Sequence, residues 1–311
     1  MNTDSRLSFT DSTPTGSYIG RFAPSPSGPL HFGSLVSALA SYLDAKANNG
    51  QWLVRMDDID PPREILGATD TILQQLQQHG LQWDGRVLYQ SQRSDAYLSV
   101  LEQLQQAGLV YPCQCSRQQL KKNGGIHNNR CEIQDPPAPS ALRLSVVDPY
   151  QISFNDIFQG FQQQDIKHQV GDMVLYRKDK LFAYQLAVVV DDAFQQITHV
   201  IRGSDLLDST PRQIYLQQQL KLLTPEYGHI PVAINDQGQK LSKQNLAVAI
   251  DNKTAQNNLE TAIRWLGLPF PSSLNSKNNQ ASAHCDELLI WAIEHWQRQL
   301  VPPALERLAS N

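Results

Sequence analysis

Residues 20–35 read GRFAPSPSGPLHFGSL, and no other stretch restricts the fold as much. The β-prone run from Tyr18 to Ala23 stops at Pro24, which has no N–H for a sheet ladder. From Ser34, the residues Leu35, Val36, Ala38, Leu39, Tyr42 and Leu43 recur at helical spacing through Lys46. A strand that ends in a Pro/Gly loop and then starts a helix builds an anion site. The unpaired N–H groups at the helix start point outward and carry partial positive charge. Gly28 and Gly33 put no side chain between backbone and phosphate, and Pro24, Pro26 and Pro29 stiffen the approach. His31 sits just before the helix, placed to donate a hydrogen bond to a phosphate oxygen. Taken alone, the loop also fits a rigid connection with a surface histidine. It is neither a Walker loop nor a GxGxxG fingerprint.

The same rhythm continues. Trp52 to Met56 reads as a second strand, Glu64 to Gln78 as a helix stopped by Gly80, and Ser94 to Ala107 as another stopped by Gly108. Strand–helix alternation predicts an α/β fold with a parallel sheet and crossover helices. It breaks after Tyr111. Residues 113–190 hold clustered cysteines, then short strands and turns, and read as an insertion. The pattern resumes at ITHVIRG (197–203), with a helix from about Pro211 to Leu222 and a short strand, IPVAI, at 230–234. Residues 256–311 read as helical, PALERLA included, with a polar break. The expected organisation is a polar tail (1–16), a first catalytic half (17–112), the insertion (113–190), a second half (191–250) and a short helical region (251–311).

No run approaches the ~20 apolar residues that span a bilayer, and the N-terminal residues lack the apolar core of a signal peptide. A cytoplasmic location with no membrane partner is the expectation, and nothing demands more than a monomer. Net charge is −4, so any nucleic-acid partner needs a local basic surface. Three of the four cysteines fall together as Cys113-x-Cys115, with His127-xxx-Cys131 following. In a cytosolic chain this favours metal over disulfides. Cys₃His fills the four positions of a structural zinc and leaves none for water. The alternatives are three free thiols, or a site that has lost its metal.

APSPSGPLHFGS (23–34) resembles the HIGH signature of class I aminoacyl-tRNA synthetases in its glutamyl and glutaminyl form, and KLSKQ (240–244) resembles the KMSKS loop. The two stand in the family's order on either side of an insertion. MDDIDPPR (56–63) and YQLAVVVDDAFQQITHVIRGSDLLDSTPRQ (184–213) extend the likeness over roughly 18–250. The latter segment resembles one with a buried strand, a paired-Asp turn and an Arg-Gly-acidic element. The resemblance implies a Rossmann-like class I synthetase catalytic domain with an inserted zinc-containing α+β subdomain and a short C-terminal helical region.

The family's reaction is attack of a carboxylate on the α-phosphate of ATP, giving an aminoacyl-adenylate and pyrophosphate. The resemblance places ATP, with Mg²⁺, against Pro24, Gly28, His31, Gly33, Ser34, Lys240, Ser242 and Lys243, with His31 and Lys243 catalytic. Glutamate is the implied amino acid. Arg21 and Arg202 match its carboxylate partners, Ala23, Ser25 and Tyr184 its neutral contacts, and Asp57 its ammonium partner. The family carries Glu at the position of Asp57. Asp is one methylene shorter, so that contact lengthens, passes through water or shifts to Asp58. Related synthetases carry a zinc knuckle in the insertion, and His127 stands where a tyrosine sometimes does. The implied set is Cys113, Cys115, His127 and Cys131, one structural Zn²⁺ per chain.

Only 68 residues follow Lys243, expected to be too few for an anticodon-reading part. The chain therefore resembles the glutamyl-queuosine tRNA(Asp) synthetase family. That family activates glutamate without tRNA and transfers it to queuosine at the wobble position of tRNA(Asp). The alternatives are a truncated glutamyl-tRNA synthetase that charges tRNA(Glu) at its 3′ end, and a non-catalytic sensor of glutamate or ATP.

Overall fold

The N-terminal unit forms where the punctuation directs it. β1 (Ile19–Phe22) runs into the Pro/Gly loop, and α1 (Phe32–Ala47) follows it. The structure is a computed structural model and describes residues 17–122, 124–127, 139–241, 247–271 and 281–309. The expectations for Ser242, Lys243, Cys131 and the 1–16 tail lie outside the described residues.

β2 (Gln51–Met56) pairs parallel with β1, and α2 (Ala68–Gln78) comes next. α2 does not begin at Glu64 as its sequence suggests. A 3-10 turn at Pro61–Arg63, and Gly67 in the left-handed region at φ 79°, occupy the chain before it. β3 (Leu88–Tyr89) pairs parallel with β2, and α3 (Ser94–Gln106) follows.

The next segment is antiparallel. β4 (Val110–Cys113), α4 (Arg117–Lys122) and β5 (Ala141–Leu144) precede the hairpin of β6 (Gln151–Asp156) and β7 (Gly160–Asp165). α5 (Ile166–Gln169) and β8 (Met173–Tyr176) complete it, with β5 between β4 and β8.

α6 (Tyr184–Phe194) corrects the sequence reading, which resembled a buried strand and an Asp turn. Leu186 to Asp192 are all buried, so the segment is apolar nearly all round, and a fully enclosed helix satisfies its own backbone despite three consecutive valines.

β9 (His199–Gly203), α7 (Thr210–Gln219) and β10 (Glu226–Ile230) restore parallel pairing. The expected strand IPVAI is split: Pro231 separates β10 from β11 (Val232–Ile234), and the two pair with different partners. α8 (Ala255–Trp265) and α9 (Ala281–Glu294) are helical as expected. The C-terminal ERL is not; it forms β12 (Glu306–Leu308), parallel to β11.

The β1–β2–β3 and β9–β10 sheets meet where the Thr198 N–H donates to the Ile19 carbonyl at 2.9 Å. Strand alternation then sorts two cores onto opposite faces. Phe22, Trp52, Val54, Met56 and Ile201 pack with α1, α8 and α9. Ile19, Leu53, Val200 and Tyr227 pack with α3, α6 and α7. Ligands in such sheets sit beyond the carboxyl ends of the strands, and the Pro/Gly loop leaves β1 at that end.

Candidate active site

A cavity of about 410 Å³ opens there. Arg21, Ala23, Pro24, Ser25, His31, Gly33, Ser34, Tyr184, Arg202 and Lys240 all line it, so both arginines share one space with the helix start. Gly28 holds the loop rather than the cavity wall; its φ of 132° is open to glycine and strained for other residues.

His31 caps α1. Its Nδ1 accepts from the Ser34 N–H at 3.3 Å, which leaves the neutral ring's proton on Nε2, 3.1 Å from Ser34 Oγ. Gly33 sits close to the ring: a Cβ there would lie 3.3 Å from His31, a tight contact, and 3.6 Å from Ala233 Cβ. Lys240 reaches the rim from the turn after β11 and pairs with Asp205 at 2.5 Å.

The two arginines differ in their partners. Arg202 on β9 is buried and held by Tyr184 Oη, the Leu206 carbonyl, Thr210 Oγ1, Gln213 Oε1 and His229 Nε2 at 2.8–3.3 Å. None of these is a carboxylate. Because Arg202 Nε only donates, His229 Nε2 must be unprotonated, and its Nδ1–H donates to Asp156 at 2.5 Å. Burial, joined by the charge of Arg202, pushes His229 down to about 4 against the pull of Asp156. Arg21 on β1 is also buried, but Asp192 of α6 grips it through Nε and Nη2, both at 3.1 Å.

Asp57 is not in that cavity. It lines an adjoining one of about 290 Å³ with Asp60, Arg63 and Glu64, and Ser25 and Ser27 border both. Its carboxylate accepts from Arg55 Nε at 2.9 Å; burial raises its pKa although Arg55 opposes this. Asp58 is occupied elsewhere, by the Ser91 N–H at 2.9 Å and Ser91 Oγ at 2.7 Å.

The predicted metal ligands within the described residues do come together. Single donor atoms of Cys113, Cys115 and His127 lie within 4.8 Å of one another. Tetrahedral zinc, with Zn–S about 2.3 Å and Zn–N about 2.0 Å, sets sulfur and nitrogen about 3.6 Å apart. Cys113 Sγ and His127 Nε2 are 3.6 Å apart. Tyr111 Oη at 3.1 Å and Asp172 at 3.4 Å face His127 Nδ1, the pairing that turns the other ring nitrogen toward a metal. Arg143 Nε stands 3.2 Å from Cys113 Sγ, a cation suited to a thiolate. The residues present fit zinc.

Sequence reasoning missed Arg55, Asp156, Asp192 and His229, each buried around Arg21 and Arg202. A signal existed for two of them: a lone arginine inside WLVRM and a charged pair closing LAVVVDD interrupt otherwise apolar runs.

Fold and cleft together define the catalytic domain of a class I tRNA synthetase. The family model described as tRNA synthetases class I (E and Q), catalytic domain, matches residues 19–270. The fold is similar to a crystal structure of glutamate-tRNA synthetase from Elizabethkingia anophelis, with a TM-score of 0.76 at 24% identity, over 93% of this chain and 67% of that one. A glutamyl-Q tRNA(Asp) synthetase of Pseudomonas aeruginosa is 48% identical over 93% of this chain and 96% of its own. One from Neisseria meningitidis is 49% identical over 92% and 97%. The chain belongs to the class I tRNA synthetases of the E and Q type and, within them, to the glutamyl-Q tRNA(Asp) synthetase family.

Proposed function

We propose that this chain activates L-glutamate with ATP and transfers the glutamyl group to queuosine at the wobble position of tRNA(Asp). The observation that carries this reading is one cavity holding the α1 start and Arg202, in a chain nearly half identical to glutamyl-Q tRNA(Asp) synthetases over almost their whole length. Arg202 supplies positive charge that no described carboxylate neutralises, which suits an anionic substrate group. Arg21, Ala23, Ser25 and Tyr184 surround the same amino acid, and Asp57 takes its ammonium across the Ser25 border.

ATP lies over Pro24, His31, Gly33 and Ser34, with Gly28 shaping the loop behind them and Lys240, Ser242 and Lys243 at its phosphates. A glutamate carboxylate oxygen bonds to the α-phosphorus as the bond to the bridging oxygen breaks, and pyrophosphate departs. Mg²⁺ accompanies the ATP and offsets phosphate charge. His31 donates from Nε2 to a phosphate oxygen, and the α1 N–H groups stabilise the charge that builds up there. Cys113, Cys115, His127 and Cys131 hold a structural zinc that braces the antiparallel insertion (113–190) between the two catalytic halves (17–112 and 191–250).

The test is transfer of labelled glutamate, with ATP and Mg²⁺, onto tRNA with and without queuosine. Label confined to tRNA(Asp) of the queuosine pool is the expected result. Label at the 3′ end of tRNA(Glu) in both pools would replace this reading with a conventional charging enzyme. Lys243→Ala is expected to abolish adenylate formation while leaving the melting transition in place.

A further inference from the structure

Four charged side chains form an unbroken buried row beneath the two cavities. Arg21 Nε and Nη2 meet both oxygens of Asp192 at 3.1 Å. Arg55 Nη1 meets Asp192 Oδ1 at 2.6 Å, and Arg55 Nε meets Asp57 Oδ1 at 2.9 Å. Three separate elements supply them: β1, β2 and α6. Strand register explains the meeting. Arg21 stands opposite Leu53, and Arg55 lies two residues further along β2, so both arginines face α6.

The inner pair has no access to substrate. Arg55 is fully buried, Asp192 is 4% exposed, and neither lines either cavity. Stability is a poor explanation for such a row. Removing charges from water costs several kcal/mol per ion, and packed apolar residues often serve a core as well or better. Arg55 even keeps Nη2 buried with no hydrogen-bond partner among the described residues. The ends of the row, by contrast, each reach a cavity. Arg21 presents a cation to one, Asp57 an anion to the other, and Ser25 borders both.

We propose that Arg55 and Asp192 are positioning residues that fix the spacing and charge of the amino-acid site. An amino acid is a zwitterion. Laid across the Ser25 border, it meets Arg21 with a carboxylate and Asp57 with its ammonium. The row Arg21–Asp192–Arg55–Asp57 alternates in sign and sums to zero, so the bound zwitterion faces opposite charge at both ends. Neither end group can turn without breaking a bond to the inner pair. Arg55 also sets the reach of Asp57, whose short side chain is held back against the sheet. This inference rests on the glutamate reading of the site.

Glutamate-dependent ATP–pyrophosphate exchange, with glutamate and ATP varied separately, tests it. Asp192→Asn and Arg55→Lys are each expected to raise KM for glutamate about tenfold or more, with KM for ATP within about twofold of the starting enzyme. Glutamate should raise the melting temperature of the unaltered protein and not that of Asp192→Asn. Combining Asp192→Asn with Asp57→Asn should raise KM for glutamate by less than the product of the single effects, since one row carries both. A folded Asp192→Asn and a folded Arg55→Lys with unchanged KM for glutamate would overturn the proposal. So would failure of both to fold, which would make the row a stability device. Absence of glutamate-dependent exchange in the unaltered protein is a different failure, that of the proposed activity itself.

Discussion

Arg21 and Arg202 are the same residue type in opposite electrostatic situations. Arg21 is paired with Asp192, a carboxylate it shares with Arg55, whereas Arg202 is fixed only by neutral acceptors and meets no carboxylate among the described residues. Its imidazole partner makes that arrangement sensitive to acid. His229 is fully buried and held down to about 4, against an ordinary value of 6.5. Between those two values the unfolded chain binds a proton that the folded one refuses. Stability linked to His229 is therefore complete above pH 6.5 and falls as the pH drops toward 4. By pH 5 the loss amounts to about 2 kcal/mol. Burial lowers His79 as well, so part of the slope comes from there. Urea unfolding at pH 7 and pH 5 checks this: His229→Gln should be less stable at pH 7 yet lose less between the two values. An unchanged pH slope in that variant would show that His229 is already charged in the folded protein.

Elements were legible where their signals are local. The loop from Pro24 to His31 carries its own instructions in prolines, glycines and a helix start, and its strand and helix formed there. α6 was misread because a run of valines favours strands in isolation, while its enclosure between α3, α7 and the sheet favours a helix. That change of type matters for the site, since Asp191 and Asp192, adjacent on a helix, point to different partners. Asp191 serves Gln90, Arg93 and Tyr97, and Asp192 serves the two sheet arginines. β12 was invisible because its partner, β11, lies far away in sequence. The cysteine spacing, by contrast, was read from the chain alone, while its outer shell of Tyr111, Arg143 and Asp172 depends on how β4, β5 and β8 pair. These strands anchor Val110, Leu144, Met173 and Leu175 in the second core, so the proposed zinc is expected to order chiefly their cysteine-bearing ends and the adjoining loops. Chelation should lower the melting temperature and open the segment 110–176 to hydrogen exchange, leaving β1 and β2 protected. Gly171→Ala should mimic part of this: at φ 74° a Cβ there would sit 2.6 Å from the His127 carbonyl oxygen. Lost zinc with unchanged exchange in that variant would argue against the bracing role.

Across the whole molecule, the two cores lie on opposite faces of the abutting β1–β2–β3 and β9–β10 sheets, and α1 joins the Pro/Gly loop to the C-terminal segment. Its last turns carry Asp44, fully buried between Tyr18 and the C-terminal segment. Asp44 accepts from Tyr18 Oη at 2.5 Å, Trp296 Nε1 at 2.8 Å, and Arg298 Nε and Nη2 at 2.8 and 2.9 Å. Burial would raise this carboxyl's pKa, but the bonds from Arg298, Tyr18 and Trp296 lower it instead. One carboxylate thus satisfies donors from before β1, and from after α9. Removing it strands two buried donors and a half-buried cation, whereas removing Arg298 leaves Asp44 with two good partners. Breaking a buried charged cluster by deleting its centre costs about 3–5 kcal/mol. Asp44→Ala is therefore expected to lose about 3 kcal/mol or more in urea unfolding, and Arg298→Met distinctly less. His31 lies thirteen residues up the helix, about 20 Å at 1.5 Å per residue, so KM for ATP in the folded fraction should not change. Equal losses from the two substitutions would mean that the Asp44–Arg298 pair alone sets the clamp. A changed KM for ATP in Asp44→Ala would mean that α1 transmits strain along its length to the Pro/Gly loop.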